Sequence, residues 1–163
     1  MTDLSTFRKL SKEEINEIIR KNDLWVRTDG REGSPADLSR TNLRGVSLVG
    51  SNLEGANLEG AYLYGAYLKK INLRGAILSG SNLRGANLRW ADLRRSIFKD
   101  TNLMRADLMK ADLRGTFLAG AINLDCEQLF SAVIDLNTQL PIYLEVNWIG
   151  QETYECKKVA RGI

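Results

Sequence analysis

The residue types that carry most enzyme chemistry are thinly supplied in this chain. Among its 163 residues there is no histidine, so the commonest general base at neutral pH and the commonest metal ligand are both missing. The two cysteines, Cys126 and Cys156, make neither a zinc site nor a disulfide framework. Serine, threonine, lysine and carboxylates are plentiful, and a Ser–Lys or carboxylate pair can in principle supply a nucleophile and a base. No spacing singles such a pair out. Glycines stand apart rather than gathering into a phosphate-binding loop, and Gly30-Arg-Glu-Gly33 reads as a turn. The expectation is a protein that is not an enzyme and takes no metal or cofactor.

Charge is the next resource, and its placement says more than its total of +3. Residues 1–35 hold 7 Lys/Arg and 7 Asp/Glu, residues 36–120 hold 13 and 7, and residues 121–163 hold 3 and 6. The middle is therefore basic and the tail acidic. No apolar run is long enough for a membrane span. The start of the chain lacks the apolar segment of a secretory signal. The expected address is the cytoplasm, with no membrane partner.

The element that must position any functional side chain is written in a period of five. From Ala36 to Gly120 the chain divides into seventeen blocks, beginning Ala-Asp-Leu-Ser-Arg, Thr-Asn-Leu-Arg-Gly, Val-Ser-Leu-Val-Gly. The third position is Leu in sixteen of them and Phe98 in the other, and the first is always Ala, Ser, Thr, Val or Ile. Such a period fits neither an amphipathic helix nor a regular strand. It fits a chain that turns a corner every block. First and third side chains then point inward, because extended residues two apart share a face. Stacked coils would lie about 4.8 Å apart and satisfy the backbone through parallel pairing.

Blocks such as Ala56-Asn-Leu-Glu-Gly60, Ala86-Asn-Leu-Arg-Trp90 and Ala111-Asp-Leu-Arg-Gly115 resemble the Ala-(Asp/Asn)-Leu-x-x motif of the pentapeptide-repeat family, a family abundant in cyanobacteria. The resemblance implies an all-β solenoid: a right-handed quadrilateral β-helix with four blocks, about twenty residues, per coil and slightly over four coils. Residues 1–35 then form an N-terminal helical cap, 36–120 the repeat and 121–163 a C-terminal non-repeat cap. Ser11-Lys-Glu-Glu14 is a capping box, with Leu10 and Ile15 as its staple, and Ile15, Ile18 and Ile19 give a short helix its apolar stripe. Trp25 follows that helix, before a turn at Asp29-Gly30. A plug for the first coil is expected rather than a membrane helix, since the polar face mixes both charges. At the other end, Ala121-Ile-Asn-Leu124 slips the register and ends regular coiling. Asp125 and Gln128 cap a short helix running through Ile134. Beyond Pro141, Ile142, Leu144, Val146 and Trp148 alternate, and the last fifteen residues read as helix or ordered coil.

If residues twenty apart stack, Arg74, Arg94 and Arg114 share a column, with Arg95 beside them. Lys70, Trp90 and Lys110 share the column before it, with Lys69 and Arg89 adjacent. Together they form a basic corner where Trp90 can stack on lysine and Asp92, Asp107 and Asp112 partly neutralise the charge. The plain reading is a solvated wall. The sharper one is a site for an anionic partner, because like charges at ladder spacing are unfavourable. Ile77, Ile97 and Phe117 form an outward apolar column that wants covering, first by the chain's own tail, otherwise by self-association or another protein. Tyr62, Tyr64 and Tyr67 read as ordinary surface aromatics.

The expected function is a rigid interaction or scaffold module for an unidentified protein partner, monomeric or weakly dimeric. The resemblance offers an alternative. Some family members imitate duplex DNA and bind topoisomerase, but basic repeats and a rod of about 20 Å run against that. Direct nucleic-acid binding rests on the basic corner alone. As for Cys126 and Cys156, a bridge would close a loop of about 30 residues, worth roughly 3 kcal/mol. A cytoplasmic address favours free thiols instead, and both states stay open.

Overall fold

Each block repeats one local structure, and the reason for every position in it is visible. The computed structural model describes residues 3–159; the expectations that fall on residues 1–2 and 160–163 lie outside them. The third-position side chains, sixteen Leu and Phe98, are all buried, none more than 3 % exposed. First positions line the same interior, with Val46 and Ser51 only half-buried. Their hydroxyls turn to the backbone: Thr101 Oγ1 donates to the Leu78 carbonyl at 2.6 Å and Thr116 Oγ1 to the Leu93 carbonyl at 2.9 Å. Ser96 also donates to Leu93, while the Ser81 hydroxyl has no protein partner.

The fourth and fifth residues make the corner. The Val46 amide donates to the Leu43 carbonyl at 3.1 Å, closing a turn over Arg44 and Gly45, and the same bond recurs along the repeat. Second-position Asn or Asp braces that turn through its side chain: Asn42, Asn72, Asn82 and Asp112 accept the amide two residues on at 3.1–3.2 Å. The motif's Asp/Asn is thus a turn-forming residue that competes successfully for a local backbone donor.

At the fifth position φ is positive in every block, from 49° to 83°. Ten of these residues are glycine and seven are not: Arg40, Lys70, Trp90, Arg95, Asp100, Arg105 and Lys110. A side chain in this left-handed region costs roughly 1–2 kcal/mol, partly offset by the greater freedom glycine has when unfolded. Replacing the exposed Arg95 by glycine should therefore stabilise the chain by about 0.5–1 kcal/mol. That corresponds to roughly 1–4 °C in melting temperature for a chain of this size. A lower melting temperature for the variant would show that Arg95 contributes more than it strains.

Coils are joined by parallel bridges between residues twenty apart, such as Asn42↔Tyr62, Tyr62↔Asn82 and Asn82↔Asn102. Within them the Leu43 amide donates to Tyr62 at 2.9 Å and the Tyr62 amide to Thr41 at 3.0 Å. The bridges are single pairs rather than long strands, because each block turns again after three extended residues. The bridges group the second-position residues into four columns, beginning at Asp37, Asn42, Ser47 and Asn52.

Both ends of this ladder extend beyond the repeat. Arg8 bridges Thr41 in parallel at the start. Helix α1 (Lys12–Arg27) opens on the Ser11–Glu14 capping box and buries Ile15, with Leu10, Ile18 and Ile19 against the core. It runs on through Trp25, which the sequence places after the helix. The indole lies over the turn at Gly55, where an added Cβ would sit 3.4 Å from the ring. The buried Asn22 closes the first coil: its Nδ2 donates to the Asn52 and Glu54 carbonyls at 3.3 and 3.2 Å, and its Oδ1 accepts the Ala36 amide at 2.7 Å. Those carbonyls are the ones a preceding coil would have occupied.

After Ile122 the ladder becomes irregular but does not stop. Helix α2 (Cys126–Ser131), capped by Asp125 and Gln128, is shorter than the run to Ile134 that the sequence suggests. The reason is that Ala132 turns extended, so that Val133 can bridge Asp112; Gln139 then bridges Phe117. Gln128 Nε2 donates to the Leu103 and Ala106 carbonyls at 2.8 and 2.9 Å, an amide closing the last coil as Asn22 closes the first. A hairpin follows, β1 (Leu144–Trp148) antiparallel to β2 (Tyr154–Lys158), with Val146 opposite Cys156 and Trp148 opposite Tyr154. The expectation of helix or ordered coil near the end is corrected here. Tyr154 and Cys156 alternate as strand residues, and a short connection containing Gly150 returns the chain. Among the described residues no helix is long and apolar enough to cross a membrane.

Candidate interaction surface

The corner turns decide which side chains reach water, and their columns are the molecule's presenting surface. Arg74, Arg94 and Arg114 occupy fourth positions one coil apart, lining with Arg95, Asp135 and Asn137 an open cleft of about 580 Å³. This cleft is not a bare cationic site. The Arg94 guanidinium forks onto the Asp92 carboxylate, with Nε to Oδ1 at 2.8 Å, and its Nε lies 3.7 Å from Asp112 Oδ2. Arg114 grips Asp112 through two bonds of 2.9 and 2.6 Å. Bonding from Arg94 holds the Asp92 carboxyl below the usual carboxylate range against the opposing effect of burial. Burial pushes the Asp112 carboxyl up, but its bonds to Arg114 outweigh that and leave it lowered. Polar bonds continue down the same wall, where Asn72 Nδ2 donates to Asn52 Oδ1 at 3.0 Å and to Glu54 Oε2 at 3.1 Å. Asn52 in turn donates to Asp23 at 3.1 Å.

The neighbouring corner carries Lys69, Lys70, Arg89, Trp90 and Lys110. Lys69 Nζ lies 4.9 Å from the Trp90 ring and the Arg89 guanidinium 5.0 Å from it. Arg89 also reaches Asp107 at 3.6 Å, leaving its buried Nε without a protein partner. One corner further back, Tyr64 lies between Arg44 at 5.5 Å and Arg84 at 6.0 Å, from the coils on either side. Tyr62 stacks on Tyr64 with centroids 6.2 Å apart, and Phe7 tilts onto Tyr62 at 5.6 Å. These tyrosines are part of an ordered cation–aromatic column, which the sequence reading of ordinary surface aromatics missed. The spacing of Arg44, Tyr64 and Arg84 was a usable signal once residues twenty apart are aligned.

The apolar column is only partly covered. Gln139 of the tail pairs with Phe117, but Ile77 and Ile97 are each 38 % exposed. The tail turns instead toward α2. Phe130 stacks on Tyr154 with centroids 5.4 Å apart, Trp148 lies 5.1 Å from Tyr154, and the Tyr154 hydroxyl donates to the Leu129 carbonyl at 2.8 Å. Cys126 at the start of α2 is joined to Cys156 of β2, with Cα atoms 5.6 Å apart. Sequence reasoning also missed Asn22 as a coil-closing residue. The signal lay in its position, seven residues after Ile15, on the stripe that otherwise carries Ile18 and Ile19.

The family model for pentapeptide repeats, in eight copies, matches residues 36–75, 61–100 and 86–122, more than half of the chain. No curated protein matches it in sequence. Similar solved structures include a pentapeptide-repeat protein from the thylakoid lumen of Arabidopsis thaliana, 28 % identical over 58 % of this chain and 69 % of that one, with a TM-score of 0.46. Another is Rfr23 from the cyanobacterium Cyanothece 51142, 29 % identical over 68 % of both chains, TM-score 0.49. A third is HetL from the cyanobacterium Nostoc sp. strain PCC 7120, a protein involved in heterocyst differentiation regulation. It is 31 % identical over 63 % of this chain and 54 % of its own, TM-score 0.34.

Proposed function

The chain belongs to the pentapeptide-repeat family, and from that premise we propose that it is a non-enzymatic scaffold, a rigid rod whose side-chain columns engage a protein partner. Its coils, in this reading, form the family's right-handed quadrilateral β-helix, with residues 1–35 and 121–163 as caps on a 36–120 repeat. The observation that carries the reading is the column geometry. Between Asp37 and Ile122, bridges at a constant interval of twenty residues hold like positions in register, so a partner meets an ordered array rather than a set of mobile side chains. Pre-organisation of this kind reduces the ordering cost of association. The exposed Ile77 and Ile97 supply a second, weaker contact for self-association. The Cys126–Cys156 bridge, on the same reading, clamps the hairpin to α2.

An imitation of DNA is disfavoured, because the repeat carries 13 Lys/Arg against 7 Asp/Glu where a mimic must be acidic. The test is threefold: capture of binding proteins by the immobilised rod, a DNA mobility shift and a topoisomerase protection assay. We expect stoichiometric protein capture with neither a shift nor protection. A salt-sensitive DNA shift without any captured protein would replace this function by nucleic-acid binding.

A further inference from the structure

Charge in the repeat is distributed over the walls in an uneven way. One wall carries Ser47, Tyr67, Asn87 and Asp107 as its second-position column. Arg44, Arg84 and Arg105 stand on the corner before it, and Lys69, Lys70, Arg89 and Lys110 on the corner after it. This wall and its two edges hold seven cations and one carboxylate, whereas the rest of residues 36–120 holds six of each sign. The entire basic excess of the repeat therefore lies on a single wall. It is a different wall from the arginine cleft, whose charge Asp92 and Asp112 largely cancel.

Three further observations point to use. Among the described residues, Arg44, Arg84, Arg105, Lys69, Lys70 and Lys110 make no ion pair; only Arg89 does, with Asp107. Backbone strain is spent at these edges, since Lys70, Trp90, Arg105 and Lys110 are four of the seven non-glycine residues with positive φ at the corners. Strained positions persist where the surrounding structure holds them, and they cluster at binding sites. Exposed apolar side chains accompany the cations: Tyr67 on the wall between the two edges, and Val49 and Met109 at the ends of the Lys69–Arg89 column. At the far end Arg105 shares a small cleft with Asp125 and Glu127, so the positive excess is strongest over the first three coils.

We infer that this wall is the docking surface for an acidic polypeptide segment that carries apolar side chains among its carboxylates. The inference rests on the scaffold reading above and names the partner class for it. Carboxylates match the two cationic edges, and apolar side chains match Tyr67 between them and Val49 and Met109 at the ends of one edge. Single-stranded nucleic acid fits less well. Its affinity for proteins comes in large part from bases stacking on aromatic faces, and here Tyr64 already holds Arg44 and Arg84 while Trp90 holds Lys69 and Arg89.

The test uses the full chain and a fluorescent Glu-rich peptide with interspersed Phe, measured beside an all-Glu peptide, single-stranded DNA and phosphatidylserine vesicles. The mixed peptide should bind most tightly and weaken as salt rises. Replacing Arg44, Arg84, Lys69 and Lys70 by Gln should weaken it by at least about tenfold, or roughly 1.4 kcal/mol. Replacing Arg74 and Arg95 by Gln should leave it unchanged. Melting curves confirm that both variants fold. Equal binding by the wall variant, or tighter binding of DNA or vesicles than of the peptide, overturns the inference. If the rod captures a protein partner but ignores the mixed peptide, the scaffold reading stands and this wall's role does not. Failure of both captures rejects both.

Discussion

Leu78→Asp should abolish cooperative folding. Leu78 is fully buried at mid-rod, with its carbonyl accepting the Ser81 amide at 3.0 Å and the Thr101 hydroxyl at 2.6 Å. A carboxylate there joins a core of aliphatic side chains, and among the described residues no Lys or Arg is buried to pair with it. An uncompensated buried charge costs about 3–5 kcal/mol, and the lost leucine burial adds roughly 1.5–3. Together these approach the whole stability of a domain, about 5–15 kcal/mol. Circular dichroism should lose its β signal, and no thermal transition should remain. Leu78→Ala is the graded companion, at about 2–5 kcal/mol, and should still melt cooperatively. A soluble Leu78→Asp protein with a cooperative melt would mean that third positions are not the core.

The second large effect is expected at Asn22. Asn22→Leu keeps the volume and the apolar stripe of α1 but strands two carbonyls, of Asn52 and Glu54, and the Ala36 amide. Each buried backbone group left unsatisfied costs about 1–3 kcal/mol, so a loss of roughly 3 kcal/mol or more follows. For a chain of this length that lowers the melting temperature by roughly 6–12 °C. Hydrogen exchange should quicken first at the Ala36 amide. Asn22→Asp retains the acceptor for Ala36 but sets a buried, unpaired carboxylate against two carbonyl oxygens, so at neutral pH it should be no milder than Asn22→Leu. An unaltered melting temperature for Asn22→Leu would show that water, rather than Asn22, closes the first coil.

The central part of this architecture was legible because its determinants repeat. Third-position Leu is decided by burial alone, and one buried position per block is enough to mark the period. The Ser11 capping box and the Asp125–Gln128 pair were legible for a similar reason: both are local signals whose partners lie three residues apart. What the sequence concealed depends on partners far along the chain. Asn22 looks like a polar flaw in an apolar stripe until the Asn52 and Glu54 carbonyls are seen above it. Val133 and Gln139 follow no five-residue rule, yet they continue the ladder because Asp112 and Phe117 offer unpaired backbone. The charge of Arg94 and Arg114 and its partial neutralisation by Asp92 and Asp112 were legible, but not the fork each guanidinium makes with the Asp two residues before it. β2 was hidden by its polar residues, which leave Tyr154 and Cys156 as the only inward signals.

The interval of twenty residues between bridged positions also governs how the chain reaches this structure. Closing a loop of n residues costs an entropy that grows only as the logarithm of n, and n is the same, twenty, for every bridge between Asp37 and Ile122. Each coil therefore adds the same increment of cost and of ladder bonding to whichever coil formed before it. Assembly of such a repeat array can begin at any repeat and advance by nearest-neighbour steps. Opening starts where a coil has one neighbour instead of two, at the places Asn22 and Gln128 hold shut.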